Sequence, residues 1–221
     1  IHHSDLLILI GTRAGDRAMR QPGVLERRTR IIHIDIDPAE IRKNMEANIP
    51  LVADARLVLE ELCETCQATD TGMWLAELRE KQGSGAPFSD RPAFVNPHRL
   101  IAALTQALDS DAVYVADVGL NQIWSARSSR IKEGRFLTSG GMGTMGYALP
   151  AAMGARLATT ARQVVAVMGD GGFQMSMQEL ATLCQHDIPV KMVVLRNDCL
   201  GLVRQIQKQD YAERYEAVDL A

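Results

Sequence analysis

Short apolar runs alternate along the chain with amphipathic stretches of helical length. The apolar runs are bounded by turn-forming residues, and such runs predict β-strands. The predicted strands lie over Asp5–Ile10, Arg30–Ile36, Leu51–Ala53, Ala112–Ala116, Arg135–Leu137, Gln163–Met168 and Pro189–Leu195. The amphipathic stretches predict helices over Ala39–Ala47, Arg56–Ala68, Pro97–Leu108, Leu120–Ser129, Met145–Leu157, Met175–Gln185 and Leu200–Gln209. This alternation indicates an α/β fold in which parallel sheets carry helices on both faces.

Three polar residues stand immediately before predicted helices and are expected to cap them: Asp37, Asp54 and Asn96. Their side-chain oxygens can accept hydrogen bonds from the first free backbone N–H groups of a helix. Pro38 and Pro97 follow two of these residues and suit the first turn of a helix.

A stretch rich in glycine, serine and proline divides the chain at residues 83–96, which we predict to be a linker. Residues 1–82 have a βαβα-like pattern whose first strand has no element before it, so they resemble the second half of a doubly wound domain. Residues 97–221 predict a second α/β domain, and its end, Tyr211–Ala221, has no evident closing element. We therefore expect a fragment that is truncated at both ends.

Composition and charge narrow the classes of function. The 221 residues are 47% hydrophobic and 23% charged, with a net charge of −3 and no basic block, so we expect no binding to nucleic acid or to an anionic membrane. No apolar stretch approaches the roughly 18 residues that span a bilayer. The first residues, Ile1–Asp5, lack the pattern of a signal peptide. The simplest expectation is a reduced, cytoplasmic protein.

The four cysteines do not form a disulfide framework in a chain of this length. Cys63 and Cys66 form a C-x-x-C pattern within a predicted amphipathic helix. A redox or zinc motif needs a strand-to-helix turn or a second pair of ligands, and neither accompanies this pattern. We interpret the pair as structural.

The strongest chemical pattern lies at the ends of two predicted strands. Asp170 stands in the run Gly169–Gly172 directly after one strand, and Asn197 follows 27 residues later, directly after the next. Mg²⁺ takes about six oxygen ligands, some of them from substrate phosphates. Asp170, Asn197 and the backbone carbonyl of Cys199 would supply three of them. The glycines would let the backbone approach a diphosphate, whose charge the start of the next helix favours.

Two other interpretations of these motifs exist. The run around Asp170 is compatible with a simple turn, and Asn197 with a helix cap. Gly141, Gly143 and Gly146 also match the G-x-G-x-x-G fingerprint of dinucleotide-binding folds. That fingerprint should have an acidic residue about 20 positions further on, near Ala166, and none stands there. The pairing of Asp170 with Asn197 therefore favours a metal–diphosphate site.

Gly-Asp-Gly followed after 25 to 30 residues by Asn is the signature of thiamine diphosphate-dependent enzymes, and the chain resembles that superfamily. The resemblance is strongest to the large, catalytic subunits of acetolactate synthases. It is most specific over Thr138–Ala152, Gly169–Leu180 and Ile188–Gln205. Ser4–Ile8 and His33–Ile41 are similar to the second half of the middle domain of this family, and residues from Pro97 onward to its diphosphate-binding domain.

The resemblance implies roles for individual residues. Asp170, Asn197 and the Cys199 carbonyl would hold Mg²⁺. Residues implied to line the diphosphate are Gly171, Gly172, Gly201 and Leu202, together with Leu120 and Asn121, which replace the usual Gln-His pair. Gly143 and Met145 would face the pyrimidine side, where a bulky apolar residue wedges the two rings of the cofactor into a V. Arg196 replaces an asparagine that is not itself a ligand.

The resemblance also implies an activity: decarboxylation of pyruvate and ligation of the two-carbon unit to a second 2-oxo acid, giving 2-acetolactate. Ile206 replaces a tryptophan that favours 2-oxobutyrate as the second substrate, so the preferred acceptor stays open. The activating glutamate of the family belongs to a pyrimidine-binding domain upstream of Ile1. We can assign no catalytic residue within the chain, and we expect it to be inactive alone.

The family forms its active site between subunits, so the resemblance implies a homo-oligomer of at least two chains. It leaves open whether a small regulatory subunit and FAD bind, although Gly11–Arg17 and the turn Asp35–Asp37 match an FAD-binding pattern of the family. Two alternative functions also stay open. One is a decarboxylase or oxidase of 2-oxo acids, and the other is a non-catalytic nucleotide-binding module.

Overall fold

The structure is a computed structural model that describes residues 4–15, 19, 22–83, 94–159 and 162–220. The chain divides into two compact units, Ile1–Gly85 and Ala86–Ala221. Most of the predicted linker at residues 83–96 lies outside the described residues.

The first unit contains a parallel three-stranded sheet in the order β1-β2-β3. Its elements are β1 (Leu6–Ile10), α1 (Pro22–Glu26), β2 (Arg30–Asp35), β3 (Ile49–Val52), α2 (Ala55–Thr65) and α3 (Gly72–Gly83). The predicted cap of α2 is confirmed, because the Asp54 side chain accepts a hydrogen bond from the backbone N–H of Arg56. Leu9, Leu25, Ile31 and Met45 belong to one buried apolar cluster.

The predicted helix over Ala39–Ala47 is wrong, because this segment consists of turns and bends. Arg42 has a left-handed backbone with φ of 62°, which a continuous α-helix cannot contain. Its guanidinium donates hydrogen bonds to the carbonyl oxygen of Ala47 at 3.0 and 3.3 Å. The Asp37 oxygen does accept from the N–H of Ala39 at 2.8 Å, but it closes a local turn instead of opening a helix.

The second unit contains a parallel four-stranded sheet in the order β5-β4-β6-β7. Its strands are β4 (Val113–Ala116), β5 (Arg135–Thr138), β6 (Val164–Gly169) and β7 (Lys191–Leu195). Its helices are α4 (Pro97–Ala107), α5 (Leu120–Ser128), α6 (Ala148–Ala158), α7 (Asp170–Ser176), α8 (Glu179–Gln185) and α9 (Gly201–Asp210). The predicted cap of α4 is confirmed, since the Asn96 oxygen accepts from the backbone N–H groups of His98 and Arg99.

Helices cover both faces of this sheet, which confirms the predicted fold class. Successive side chains of a strand point to opposite faces of the sheet. In the central strands, the side chains on both faces pack against helices. Val113 and Val115 of β4 lie in one buried cluster with residues of α6 and α8. Tyr114 and Ala116 lie in a second cluster with residues of α4 and α5. The two central strands, β4 and β6, are therefore buried on both sides, and their carboxyl ends are held rigidly.

Two helices of the second unit begin elsewhere than predicted. The helix predicted to start at Met145 begins at Ala148, because Gly146 has a left-handed backbone with φ of 83°. The helix predicted to start at Met175 already begins at Asp170 and breaks after Ser176, so that Gly171 and Gly172 lie within it and not in a turn.

Candidate functional site

The candidate site lies where the adjacent parallel strands β6 and β7 end. Asp170 is the first residue of α7, and Asn197 follows β7 by two residues. One Asp170 carboxylate oxygen, Oδ2, accepts from the backbone N–H groups of Asn197 at 3.0 Å and Asp198 at 2.7 Å. The other, Oδ1, accepts from the N–H of Gly171 at 3.0 Å. A single carboxylate therefore joins the two strand ends.

The three predicted metal ligands meet at this point. Oδ1 of Asn197 lies 2.8 Å from the carbonyl oxygen of Cys199 and 3.1 Å from Oδ1 of Asp170, with no proton between them. Turning the amide over would place its nitrogen there as a donor. A bound cation would relieve the same repulsion without any rotation. Adjacent oxygens around an octahedral Mg²⁺, each about 2.1 Å from the ion, lie about 3.0 Å apart. The donor set and its spacing thus fit Mg²⁺.

Within the described part of the chain, no group of three or more His, Cys, Asp or Glu residues could hold a metal ion. The oxygens described above need only one acidic side chain, so this finding does not conflict with them. Cys199 is expected to ligate through its carbonyl and not through sulfur. Partial burial raises the pKa of its thiol and Asp170 adds to the shift, while Arg204 opposes it. The thiol accordingly stays protonated at neutral pH.

Two of the predicted glycines lie in close contact with side chains around these oxygens. A Cβ added at Gly171 would lie 2.6 Å from Cδ2 of Leu200 and 3.4 Å from Cε of Met145. A Cβ added at Gly201 would lie 2.7 Å from Nδ2 of Asn197 and 2.8 Å from Cδ1 of Leu120. Met145 therefore lies beside Gly171, and Leu120 beside Gly201.

Asp117 is a site residue that our sequence analysis missed. It follows β4 and is fully buried. Oδ1 accepts from the N–H groups of Val118 and Gly146 at 2.7 and 3.0 Å, and Oδ2 from that of Ala148 at 2.9 Å. A Cβ added at Gly172 would lie 2.8 Å from Oδ1. Its position in the sequence could have indicated it, because Asp117, like Asp170, directly follows a buried strand.

Three other predicted residues have less direct contacts with the site. Asn121 is buried, and its amide nitrogen donates to the carbonyl oxygens of Asp117 at 2.8 Å and Val167 at 3.2 Å. It joins β4 to β6, so its contacts do not support the predicted interaction with the diphosphate. Gly143 lies in an exposed turn with φ of 69°, and Leu202 is half-buried in the first turn of α9.

The end of the described chain is hydrogen-bonded to the loop that contains Asn197 and Cys199, where we had predicted no closing element. The N–H of Leu200 donates to the carbonyl of Val218 at 2.7 Å, and that of Leu220 to the carbonyl of Asp198 at 3.0 Å. Arg204 and Asp219 form an ion pair of 2.6 Å beside these bonds. We call residues 218–220 the strap.

The dinucleotide interpretation finds no support in the second unit. The position about 20 residues beyond the glycines, Ala166, is fully buried in the middle of β6. No side chain there can bind a ribose hydroxyl.

The FAD pattern is described only in part, since residues 16–18 lie outside the described residues. Nε2 of His33 lies 3.0 Å from the carbonyl oxygen of Thr12 and anchors the loop that follows β1. Both cysteines of the C-x-x-C pattern, Cys63 and Cys66, are free and exposed. No described helix is both long and apolar enough to cross a membrane.

Comparison with known proteins identifies both units. Residues 117–220 match the family profile described as thiamine pyrophosphate enzyme, C-terminal TPP binding domain. Residues 1–62 match the profile described as thiamine pyrophosphate enzyme, central domain.

Individual relatives agree with these profiles. The chain is 43% identical over 232 residues to an acetolactate synthase of Mycobacterium bovis and to an acetolactate synthase large subunit of Mycobacterium tuberculosis. It is 39% identical over 215 residues to an acetolactate synthase large subunit of Lactococcus lactis. These alignments cover 96 to 100% of the chain but only 37% of each relative. From the matched profiles and the arrangement of the strand ends, the chain belongs to the thiamine pyrophosphate (TPP) enzymes.

Proposed function

We propose that the chain is the TPP-binding part of an acetolactate synthase, which decarboxylates pyruvate and joins the two-carbon unit to a second 2-oxo acid. The observation that carries this proposal is the meeting of the Asp170, Asn197 and Cys199 oxygens at the strand ends. The names of the similar proteins point to the same reaction. The chain spans 37% of the length of those relatives, so the activity is proposed for the native protein that carries this sequence.

The cation site and the helix beside it would bind the diphosphate of TPP. Asp170, Asn197 and the Cys199 carbonyl would hold Mg²⁺, which neutralises phosphate charge and bridges the phosphates to the protein. When bound, TPP supplies the electron sink for decarboxylation of a 2-oxo acid. Through the family resemblance, Gly171, Gly172 and Gly201 would line the diphosphate.

Other residues of the second unit would orient the cofactor. Met145, whose Cε lies beside Gly171, would support the bent arrangement of the two rings of TPP, a form of catalysis by proximity. Leu120 would pack against the diphosphate end. Gly143 and Leu202 remain proposed contacts through the family resemblance. We propose no acid–base residue within the chain, and we expect the isolated chain to be inactive.

Selection of the second substrate would fall to α9 and to the segment that follows it. Ile206 and Tyr211 lie in a cleft whose lining residues are Val203, Ile206, Gln207, Tyr211, Arg214 and Glu216. Ile206 is smaller than the tryptophan expected there, so this cleft offers more room beside the two-carbon unit. We infer that the acceptor is not restricted to 2-oxobutyrate.

The domain organisation and partners complete the proposal. Residues 1–82 would form the C-terminal half of the central domain, residues 83–96 a linker, and residues 97–221 the diphosphate-binding domain. The two profile matches support this division. We propose a cytoplasmic homo-oligomer with a site completed by a second chain. A small regulatory subunit would fit the large-subunit naming of the relatives, and FAD would fit Gly11–Gly15 of the first unit.

Product analysis tests the proposed function. The native protein is incubated with pyruvate, TPP and Mg²⁺, with the Asp170→Ala variant as control. Formation of 2-acetolactate that is lost in the variant supports the proposal. Acetaldehyde or acetate as the main product would instead assign the protein to 2-oxo acid decarboxylases or oxidases. Absence of any TPP binding would reject both.

A further inference from the structure

We propose that Asp117 is a positioning residue that fixes the pyrimidine side and the diphosphate side of the cofactor site relative to each other. The inference rests on the proposed binding of TPP. Asp117 lies at the carboxyl end of β4, one of the two central strands of the second unit. It does not belong to the metal-ligand trio, and none of its hydrogen bonds involves that trio.

Its hydrogen bonds hold the turn that precedes α6. The two carboxylate oxygens accept from the N–H groups of Gly146 and Ala148 at 3.0 and 2.9 Å. Those residues directly follow Met145, and Gly146 has the left-handed φ of 83° that the turn requires. Since a buried N–H group without an acceptor is costly, the carboxylate defines the path of the backbone next to Met145.

Oδ1 of Asp117 also contacts the side of the site that would hold the diphosphate. Oδ1 of Asp117 occupies the space that a side chain at Gly172 would need, at 2.8 Å from the added Cβ. Gly172 lies in the first turn of α7, two residues after Asp170. A further contact joins the two sides, because an added Cβ at Gly171 would lie 3.4 Å from Cε of Met145. Asp117 is thus packed between the turn that carries Met145 and the start of α7.

The anchoring of Asp117 itself makes it suitable for this role. Its backbone N–H donates to the carbonyl oxygen of Val167 in β6 at 2.9 Å, and its carbonyl accepts from the amide of Asn121. The side chain is fully buried, and Oδ1 also accepts from the N–H of Val118 at 2.7 Å. Three N–H donors on two oxygens form a fixed set that only a carboxylate of this length can satisfy.

The first test uses Asp117→Asn in the native protein that carries this sequence. Asparagine keeps the volume, but it places an NH₂ group against a backbone N–H group, so one acceptor is lost. Hydrogen–deuterium exchange without cofactor is expected to accelerate by about tenfold or more at the amides of Gly146 and Ala148. TPP affinity is expected to fall by about tenfold, while the dependence on Mg²⁺ concentration persists. Asp170→Asn, the matched control, should abolish the Mg²⁺ dependence and leave exchange at Gly146 and Ala148 unchanged.

A spectroscopic readout separates positioning from simple destabilisation. At saturating TPP, the near-ultraviolet circular dichroism of the bound cofactor should change in Asp117→Asn, because the ring beside Met145 is oriented differently. If Asp117→Asn does not fold, Gly172→Ala carries the test. Its methyl group presses on Oδ1 of Asp117 and should accelerate exchange at Gly146 and Ala148, which are distant in sequence.

The outcomes distinguish the two proposals. If the native protein that carries the wild-type sequence binds no TPP, the proposed function fails and the positioning role fails with it. If the wild type binds TPP but Asp117→Asn has unchanged affinity, dichroism and amide exchange, only the positioning role is overturned. Unchanged exchange in Gly172→Ala would overturn it in the same way.

Discussion

The two parallel sheets of this protein both have acidic residues after a strand, but they use them differently. In the first unit, Asp35 and Asp37 stand at the end of β2, and each accepts a hydrogen bond from a backbone N–H two residues further on, at 2.9 and 2.8 Å. In the second unit, Asp170 reaches across to the loop that follows the neighbouring strand. Carboxyl ends of adjacent parallel strands are common places for ligands.

The two arrangements differ in where the carboxylate at the strand end finds its hydrogen-bond donors. A carboxylate that closes its own turn is already satisfied locally. Asp170 instead begins a helix, so its side chain points toward the end of β7, where Asn197 and Cys199 contribute further oxygens. Asp170 therefore links two strand ends through its hydrogen bonds, whereas Asp35 and Asp37 each close a turn of their own segment.

Replacement of the central carboxylate should have the largest effect. We expect Asp170→Ala to weaken TPP binding in the presence of Mg²⁺ by more than about 100-fold, because it removes the only charged ligand of the trio. The loss of acceptors for the N–H groups of Asn197 and Asp198 should also lower the free energy of unfolding by about 1–3 kcal/mol. Titration calorimetry and thermal unfolding measure the two effects. Binding of wild-type strength would contradict the ligand role.

Removal of the proposed amide ligand, Asn197, should have the second-largest effect on TPP affinity. We expect Asn197→Ala to reduce TPP affinity by about 10- to 100-fold, since one neutral oxygen of the shell is lost while the carboxylate remains. Asn197→Asp retains an oxygen at the position and is expected to retain measurable Mg²⁺-dependent binding. Titrations at several Mg²⁺ concentrations compare the two variants. An equal loss in both would indicate that the contribution of Asn197 is not ligation.

Removal of the ion pair in the strap should have a smaller effect on TPP affinity. The Arg204–Asp219 pair is partly exposed, with side-chain exposures of 43% and 77%, and such pairs contribute less than about 1 kcal/mol. Asp219→Ala should therefore weaken TPP binding by no more than about fivefold. High salt should weaken TPP binding less in the variant than in the wild type, because the variant lacks the ion pair that salt screens. A larger loss would mean that the strap itself forms part of the site.

A substitution in the first unit should have the smallest effect on TPP affinity. We expect Asp35→Ala to leave TPP affinity unchanged, because within the described residues its carboxylate accepts one hydrogen bond, from the N–H of Asp37. The free energy of unfolding should fall by about 0.5–1.5 kcal/mol, the usual contribution of one hydrogen bond. Chemical denaturation and titration of the same preparation provide the measurements. A clear loss of TPP affinity would remove the contrast between the two sheets.

Much of the fold could be predicted from the pattern of apolar residues. The strands over residues 164–169 and 191–195 are short, apolar and bounded by turn residues, so their positions were predictable to within two residues. The caps Asp54 and Asn96 were also predictable, because capping is decided by local chemistry. The approach of the Asp170, Asn197 and Cys199 oxygens was predictable from the order of strand, acid, helix, strand and amide.

Features decided by distant contacts could not be predicted in the same way. Turns stand at residues 38–45 where a helix was predicted, and Asn44 in this segment donates a hydrogen bond to the carbonyl oxygen of Arg13, 31 positions earlier in the chain. Asp117 is anchored by residues about 30 positions later in the chain, and no local pattern indicates that pairing. The strap joins Asp219 to Cys199 through an isolated bridge that has no strand-like sequence around it.

The most direct test of the proposed cation site is crystallography of the protein with TPP and Mn²⁺, located by its anomalous scattering. We predict one Mn²⁺ ion about 2.0–2.3 Å from Oδ1 of Asp170, Oδ1 of Asn197 and the carbonyl oxygen of Cys199, with diphosphate oxygens in its remaining positions. Bound TPP with no ion among these three atoms, or with the Asn197 amide nitrogen turned toward Asp170, would contradict the proposed site.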